Sequence, residues 1–477
     1  MCADATRDAD TMLPAISDAF GVGQIMANDY LKALRTLLGS DLDFRRAEGS
    51  CAAHGIHAFG AKFPPALPRM FIAGLTKPGE VVLDPMAGSG TTVLEACLLG
   101  RHGIGLDIDP LALRIAAAKM CMPDAGRVRE ALDALCAAVS CTQDDREEKF
   151  KSNFDEETWN FINYWFLPAQ SREILLIKRE IDKIKDDDLR LFLEISLSSA
   201  IIAKRGGCSL ALDLAHTRPH RAKVVYDERG NLVFCTVPDP NAAAAHQRKV
   251  VRPVLAEFRK RALSNAGAAA PVSGAGIIVR ADARRMPLTD DSVDLIVTSP
   301  PYAAGAIDYM RAHKFSLIWL GYSLADLRAM RGRSAEVDES CAGSQTTRAV
   351  LAALGDRDKQ KAKVVGRYYE DMAKVLAEVR RVLRPGRGAV FVVGDSIIRG
   401  VDLRAADCFA ELGERVGLCV AGVGVRRIDR DRRMLPVSAK RRPDSQIERR
   451  MMEEYVVGFY KPLVAAASCE RVSGHGA

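Results

Sequence analysis

Between residues 79 and 119 the chain alternates in a way that few folds accommodate. "EVVLDP" is a short apolar run, "MAGSG" a glycine turn, and "TTVLEACLLG" an amphipathic helix closed by Gly100. A second apolar run, "GIGLDI", follows at once. Behind it comes the helical "PLALRIAAAK", with Pro110 at the first helical position, where its missing N–H costs nothing. Short, almost wholly apolar strands, each followed by a helix, belong to a parallel sheet covered on both faces.

The rest of the chain extends that pattern after an interruption. The first seventy or so residues mix short helical patterns with "HAFGAKFPPALPRMFIAGL". Around 121–275 the alternation lapses into "WNFINYWFLP", a charged helical run at 172–204, the basic "HTRPHRAK" and an Ala/Gly-rich segment at 264–276 that reads as a linker. Three more strands follow: "GIIVRAD", "VDLIVTS" and, after a helix at 368–383 and the turn "RPGRG", "AVFVVGDS". "LCVAGVGVRRI" and "EEYVVGFYKP" pair as an edge hairpin. The expected fold is α/β, a Rossmann-like doubly wound mostly parallel sheet with an antiparallel edge hairpin, plus an inserted mainly helical unit. Its divisions are 1–120 for the N-terminal segment and the first half of the main domain, 121–275 for the insertion, 276–465 for the second half, and 466–477 for a tail.

Several function classes are excluded at this level. The N-terminus has acidic residues early and no basic-then-apolar order, and no apolar run approaches bilayer length. The 12 cysteines form no C-x-x-C pair and no Cys/His cluster, so the expectation is a cytoplasmic protein with reduced thiols and no metal. A net charge of +7 permits a polyanionic partner without requiring one.

The motifs say more. Gly88 and Gly90 sit in a tight turn between a strand and a helix, where a ligand can approach the backbone. Asp107 ends the second strand 17 residues after Gly90, placed to accept from ribose hydroxyls, because Asp109 before Pro110 already supplies the helix cap. Val93 occupies the place of a third fingerprint glycine. An adenosine-containing cofactor is implied: a nicotinamide, a flavin or S-adenosylmethionine. The fourth strand runs into Thr298-Ser299-Pro300-Pro301-Tyr302. Its two prolines remove backbone donors, leaving carbonyls, a serine hydroxyl and a flat ring. Those acceptors beside a stacking ring suit a planar base with an exocyclic amine.

"DPMAGSGTT" followed by "TSPPY" resembles the amino-directed DNA methyltransferases, which make N4-methylcytosine or N6-methyladenine from S-adenosylmethionine. "AKFPPALPRMF", "RADARRMPLTDDSVDLIVTSPPY" and "LRPGRGAVFVVGDS" extend the resemblance over roughly 57–120 and 276–460. It implies that Phe63, Asp84 and the backbone of Gly88 and Gly90 hold the methionine end, with Pro85 and Thr91 in the same turn. Asp107 binds the ribose and Asp282 lies by the adenine. Ser299 and the Pro300 carbonyl accept from the target amine before Pro301, and Tyr302 stacks on the flipped base. Met86 departs from the family's frequent phenylalanine.

The leading serine favours N4 of cytosine over N6 of adenine. The absence of any Pro-Cys dipeptide argues against C5 chemistry, which needs a thiolate nucleophile. Alternatives are an RNA guanine-N2 methyltransferase and a non-catalytic DNA-binding relative. Double-stranded DNA is the expected partner, a cognate restriction enzyme a further candidate, and 121–275 a candidate target-recognition unit. Phosphate contacts are expected from Arg218, His220, Arg221 and Lys223. They are also expected from the run 425–450, ten basic residues to four acidic, which includes Arg432 and Arg433. The aromatics Trp159, Phe161, Tyr164, Trp165 and Phe166 are expected to be core of the insertion. Asp308, Tyr309, Arg311 and His313, just after the catalytic turn, are candidates to line the base pocket.

Overall fold

The computed structural model describes residues 27–44, 52–60, 64–141, 151–203, 207–212, 220–244, 247–269, 272–303, 309–332, 344–394, 396–428 and 453–463. In chain order the strands are β1 (Val81–Asp84), β2 (His102–Asp107), β3 (Val224–Tyr226), β4 (Leu232–Cys235), β5 (Arg248–Val250), β6 (Gly276–Arg280), β7 (Val293–Thr298), β8 (Leu383–Gly394), the two-residue β9 (Ile397–Ile398) and β10 (Val401–Asp402), β11 (Cys419–Arg427) and β12 (Glu453–Tyr460). Seven of them form one sheet in the order β11-β12-β8-β7-β1-β2-β6. The five strands from β6 to β8 are parallel, and β12 enters antiparallel between β8 and β11. The expected doubly wound α/β sheet with its antiparallel pair is what forms. Chain order reverses between β1 and β7, so the crevice beyond their carboxyl ends is where such a sheet takes a ligand.

Period-two alternation explains why the central strands are apolar on both faces. On β7 and β8, Ile296, Ala389, Phe391 and Val393 face helices Lys359–Val382 and Ala405–Arg415. Leu295, Val297, Val390 and Val392 face the opposite way, toward helices Ala27–Leu38 and Ala66–Leu75. The one charged residue in β7, Asp294, is fully buried but paired. Arg384 donates to it at 2.6 Å, and the Val81 N–H at 2.9 Å. That contact pins the start of β1 to β7 and satisfies an otherwise costly buried charge.

The insertion carries helices Ala125–Cys141, Glu156–Trp165, Pro168–Asp182, Asp187–Ile202 and Val254–Ala266. It also contains a three-stranded sheet, β4-β3-β5, that the sequence reading lacks because strands of three or four residues leave no periodic trace. Its core is not separate: Phe192, Phe258 and Ile177 pack with Leu111 and Ile115 of the main domain and with Phe315 and Trp319.

Three local expectations change. The linker begins after 266, because 264–266 are the last turn of a helix in which Asn265 donates to Ile56 O (3.0 Å) and Ser196 Oγ (3.1 Å). The helix expected at 368–383 begins at Lys359, where Asp358 caps it by accepting from the Lys361 N–H. "RPGRG" is not a turn between elements but part of β8, an irregularity where the partner of Val293 is Leu383 and that of Leu295 is already Gly388. Among the described residues no helix is long and apolar enough to cross a membrane, and no group of His, Cys, Asp and Glu is arranged for a metal ion.

Candidate active site

The turn after β1 is built by its glycines. Gly88 (φ 50°) and Gly90 (φ 75°) adopt left-handed backbone that other residues resist. At Gly90 a Cβ would also sit 2.7 Å from the Ala116 Cβ, so glycine here lets helix Pro110–Met120 pack against the turn. Gly90 leads straight into helix Thr91–Leu98 with no side-chain cap, which leaves the first-turn N–H groups for a ligand. From behind, the buried Lys119 ammonium donates to the Ser89 carbonyl at 2.5 Å.

Asp107 closes the neighbouring strand and reaches across. Its Oδ2 accepts from Gly88 N–H at 2.8 Å and its Oδ1 from Asp109 N–H at 2.9 Å. Burial, and then the Asp109 carboxylate, push its carboxyl up to about 6, against those N–H groups. Asp109 caps the following helix as expected, accepting from Leu111 (2.8 Å) and Ala112 (3.1 Å) N–H. Its other oxygen bonds the buried His313 Nδ1 at 2.7 Å. Burial opposes the Asp109 charge, but His313 and the helix N–H groups outweigh it and hold this carboxyl below its usual range.

A cavity of about 510 Å³ opens over this edge. Pro85, Gly88, Thr91, Asp107, Asp282, Ser299 and Pro301 all line it, so the glycine turn, the strand-end aspartate and the proline turn share one crevice. Its far wall is held by Arg284, which donates to Asp282 (Nε to Oδ1 3.0 Å, Nη2 to Oδ2 2.7 Å) and to Asp371 (Nη1 to Oδ1 2.9 Å). Burial works against the Asp282 charge, but Arg284 keeps that carboxyl below the usual range.

Other expected residues lie elsewhere. Asp84 sits under the cavity, fully buried, with its carboxyl raised to about 6 by burial against the Thr298 and Thr92 hydroxyls. Pro300 is buried behind Ser299, and Gly90 packs on Ala116. Tyr302 does not line the cavity: its hydroxyl donates to Glu454 at 2.6 Å. Phe63, Arg218, Asp308, Arg432 and Arg433 lie outside the described residues. His220 and Lys223 are exposed, whereas the Arg221 guanidinium stacks between Tyr164 (4.3 Å) and Phe234 (4.5 Å). The aromatic run packs as core around Phe315, with Phe166 2% exposed and Tyr164 alone largely outside.

The sequence reading missed Phe59, Ile108 and Asp371. Phe59 lines the cavity and stacks on Tyr309 at 5.4 Å, four residues before the phenylalanine the resemblance pointed to. Ile108, next to Asp107, is 61% exposed within the crevice, an apolar shelf of the kind a flat base covers. A carboxylate for paired hydroxyls, an apolar shelf and a glycine turn against bare helix N–H groups fit an adenosine-bearing amino acid such as S-adenosylmethionine.

A family model described as "DNA methylase" matches residues 32–118. The chain is 24% identical to Type II methyltransferase M.MvaI of Kocuria varians over 382 residues, covering 75% of this chain and 80% of that protein. It is 22% identical to Type II methyltransferase M.BsoBI of Geobacillus stearothermophilus over 370 residues (67% and 69%). A shorter match, 30% over 131 residues, joins it to Type II methyltransferase M.MjaII of Methanocaldococcus jannaschii (27% and 24%). With these relatives, the mostly parallel sheet is consistent with a Rossmann-like methyltransferase fold. Within that class, the family model and the Type II relatives support the amino-directed DNA methyltransferase family.

Proposed function

We propose that this enzyme moves a methyl group from S-adenosylmethionine to the exocyclic amine of a base extruded from duplex DNA, N4 of cytosine in preference to N6 of adenine. The observation that carries the reading is the meeting of Ser299 and Pro301 with Asp107 and Gly88 around one cavity. When bound, the cofactor supplies an electrophilic methyl group. Asp107 accepts from the ribose hydroxyls, the turn at Gly88 and Thr91 receives the methionine end, and Ile108 with Phe59 covers the adenine. Ser299 Oγ and the Pro300 carbonyl, which has no proline N–H beside it, accept from the target amine. Those bonds localise the nitrogen lone pair, so positioning and electrostatics carry the rate without a covalent intermediate.

Extrusion of the base costs a few kcal/mol, which phosphate contacts offset. His220 and Lys223 on the insertion, and the basic run between β11 and β12, are the groups for that task, with the insertion as target-recognition unit. By likeness to Type II relatives, the enzyme acts as the modifying half of a restriction–modification pair.

The test is incubation of the protein with labelled S-adenosylmethionine and genomic DNA or RNA, followed by nucleoside mass spectrometry. N4-methylcytosine is the expected product. N6-methyladenine would revise the base alone, and label confined to RNA would overturn the substrate.

A further inference from the structure

A half-buried tyrosine and two buried charged side chains meet where the Ser-Pro-Pro-Tyr turn reaches the C-terminal strands. The Tyr302 hydroxyl donates to Glu454 Oε1 at 2.6 Å. The other oxygen of Glu454 accepts from Arg426 Nη1, and the two side chains are only 10% and 7% exposed. Arg426 and Glu454 are direct cross-strand partners on β11 and β12, and Glu454 also faces Gly394 of β8. The Tyr302 ring rests on that glycine. A Cβ at Gly394 would lie 2.3, 2.5 and 2.8 Å from three ring carbons, so no other residue leaves the ring its seat.

Packing alone does not account for this arrangement. A phenylalanine would fill the space over Gly394 equally well. Burying a carboxylate and a guanidinium costs desolvation that an apolar pair avoids. The Arg426 Nε is buried as well and finds no hydrogen-bond partner among the described residues.

The order of donors explains what the arrangement does. An ionised carboxylate only accepts, so the phenol must donate to Glu454, and its oxygen is left with lone pairs alone. Burial, then the Glu454 charge, raise the phenol well above its ordinary range, so it remains a donor at any working pH. Ser299 stands in the same turn, three residues before Tyr302, and lines the cavity, so the seat of the phenol fixes where the Ser299 oxygen lies.

We infer that Glu454, held by Arg426, is a positioning residue for the target-amine pocket. It takes the Tyr302 hydrogen and locks the ring on Gly394, which fixes the turn that presents the Ser299 oxygen to the incoming amine. The inference rests on the reading of Ser299 as the acceptor for the amine.

The test is single-turnover transfer from labelled S-adenosylmethionine to plasmid DNA from a methylation-deficient host. Tyr302→Phe removes the hydroxyl but keeps the ring and the Arg426–Glu454 pair. It should slow transfer roughly tenfold while S-adenosylhomocysteine binds within about twofold of wild type, as uniform binding is untouched. Glu454→Gln keeps an acceptor oxygen and should lose less. Because the groups act in series, Tyr302→Phe with Glu454→Gln should be no slower than Tyr302→Phe alone. Should Glu454→Gln not fold, Ser299→Ala combined with Tyr302→Phe gives the same cycle, the double being no slower than the slower single. A wild-type rate in Tyr302→Phe, or losses that multiply, would overturn the series. A wild-type protein that methylates neither cytosine nor adenine would instead remove the functional reading on which it stands.

Discussion

Asp107, the last residue of β2, and Asp282, just beyond the end of neighbouring β6, face the same cavity, yet they are opposite kinds of carboxylate. Among the described residues, Asp107 accepts from backbone N–H groups and lies beside the Asp109 carboxylate, and its carboxyl is raised to about 6. Asp282 is gripped on both oxygens by Arg284 and lies below the usual range despite partial burial. A carboxylate without a counter-ion has acceptor capacity to offer a ligand, while one already paired with arginine mainly shapes the wall. Residue type and strand-end position are the same, so the neighbours decide the role.

The largest expected effect breaks that comparison directly. Asp107→Ala should weaken S-adenosylhomocysteine binding by about a hundredfold, as two hydrogen bonds to a charged acceptor are lost. Asp282→Asn should weaken it less than about fivefold, because Arg284 already occupies both oxygens. Isothermal titration of both variants decides it, and equal losses would erase the distinction. Wild-type affinity should also fall as pH drops through about 6, where Asp107 gains a proton and with it loses acceptor capacity.

Asp84 sharpens the comparison on the side of stability. In the folded chain its carboxyl moves from 3.8 to about 6 because of burial, so the folded state holds this proton more tightly than the unfolded one. The sign follows: ionised Asp84 opposes folding, fully at pH 7, progressively less through pH 6, and not at all below about pH 4. That difference corresponds to roughly 2–3 kcal/mol. Asp84→Asn, with the Thr92 and Thr298 hydroxyls available to its amide, should therefore stabilise the protein by about 2 kcal/mol at pH 7. Urea unfolding should show the gain shrinking toward zero at pH 4. A gain independent of pH would assign it to something other than the charge.

What was legible in the sequence follows from how local each constraint is. The turn at Gly88 and Gly90, the cap at Asp109 and the stop at Pro300-Pro301 are dictated by backbone conformation within a few residues, and they stand in the structure as read. The fold class followed because each strand of the β1–β2 unit carries its own apolar run and turn. Contacts between distant segments left no local trace. Glu454 reaches Tyr302 from 152 residues away, and nothing around Glu454 marks it apart from ordinary strand polarity. Asp371 sits on a helix whose amphipathic pattern gives no hint of Arg284. Phe59 carries no local mark that sets it apart from Phe63, four residues on in the same segment.

The smallest effects separate two basic residues only two positions apart. Lys223 is exposed on the insertion, and Arg221 is stacked between Tyr164 and Phe234. If Lys223 meets a phosphate, Lys223→Ala should reduce the salt slope of DNA binding by about one and leave stability unchanged. Arg221→Ala should lower stability by about 1 kcal/mol, the contribution of two ring contacts at a half-buried site. It should leave the salt slope alone, because a guanidinium held between rings is not free to displace counter-ions. Fluorescence anisotropy across a salt series, beside thermal melts of both variants, separates the two roles. A slope change in Arg221→Ala would show that this arginine leaves its rings to meet DNA.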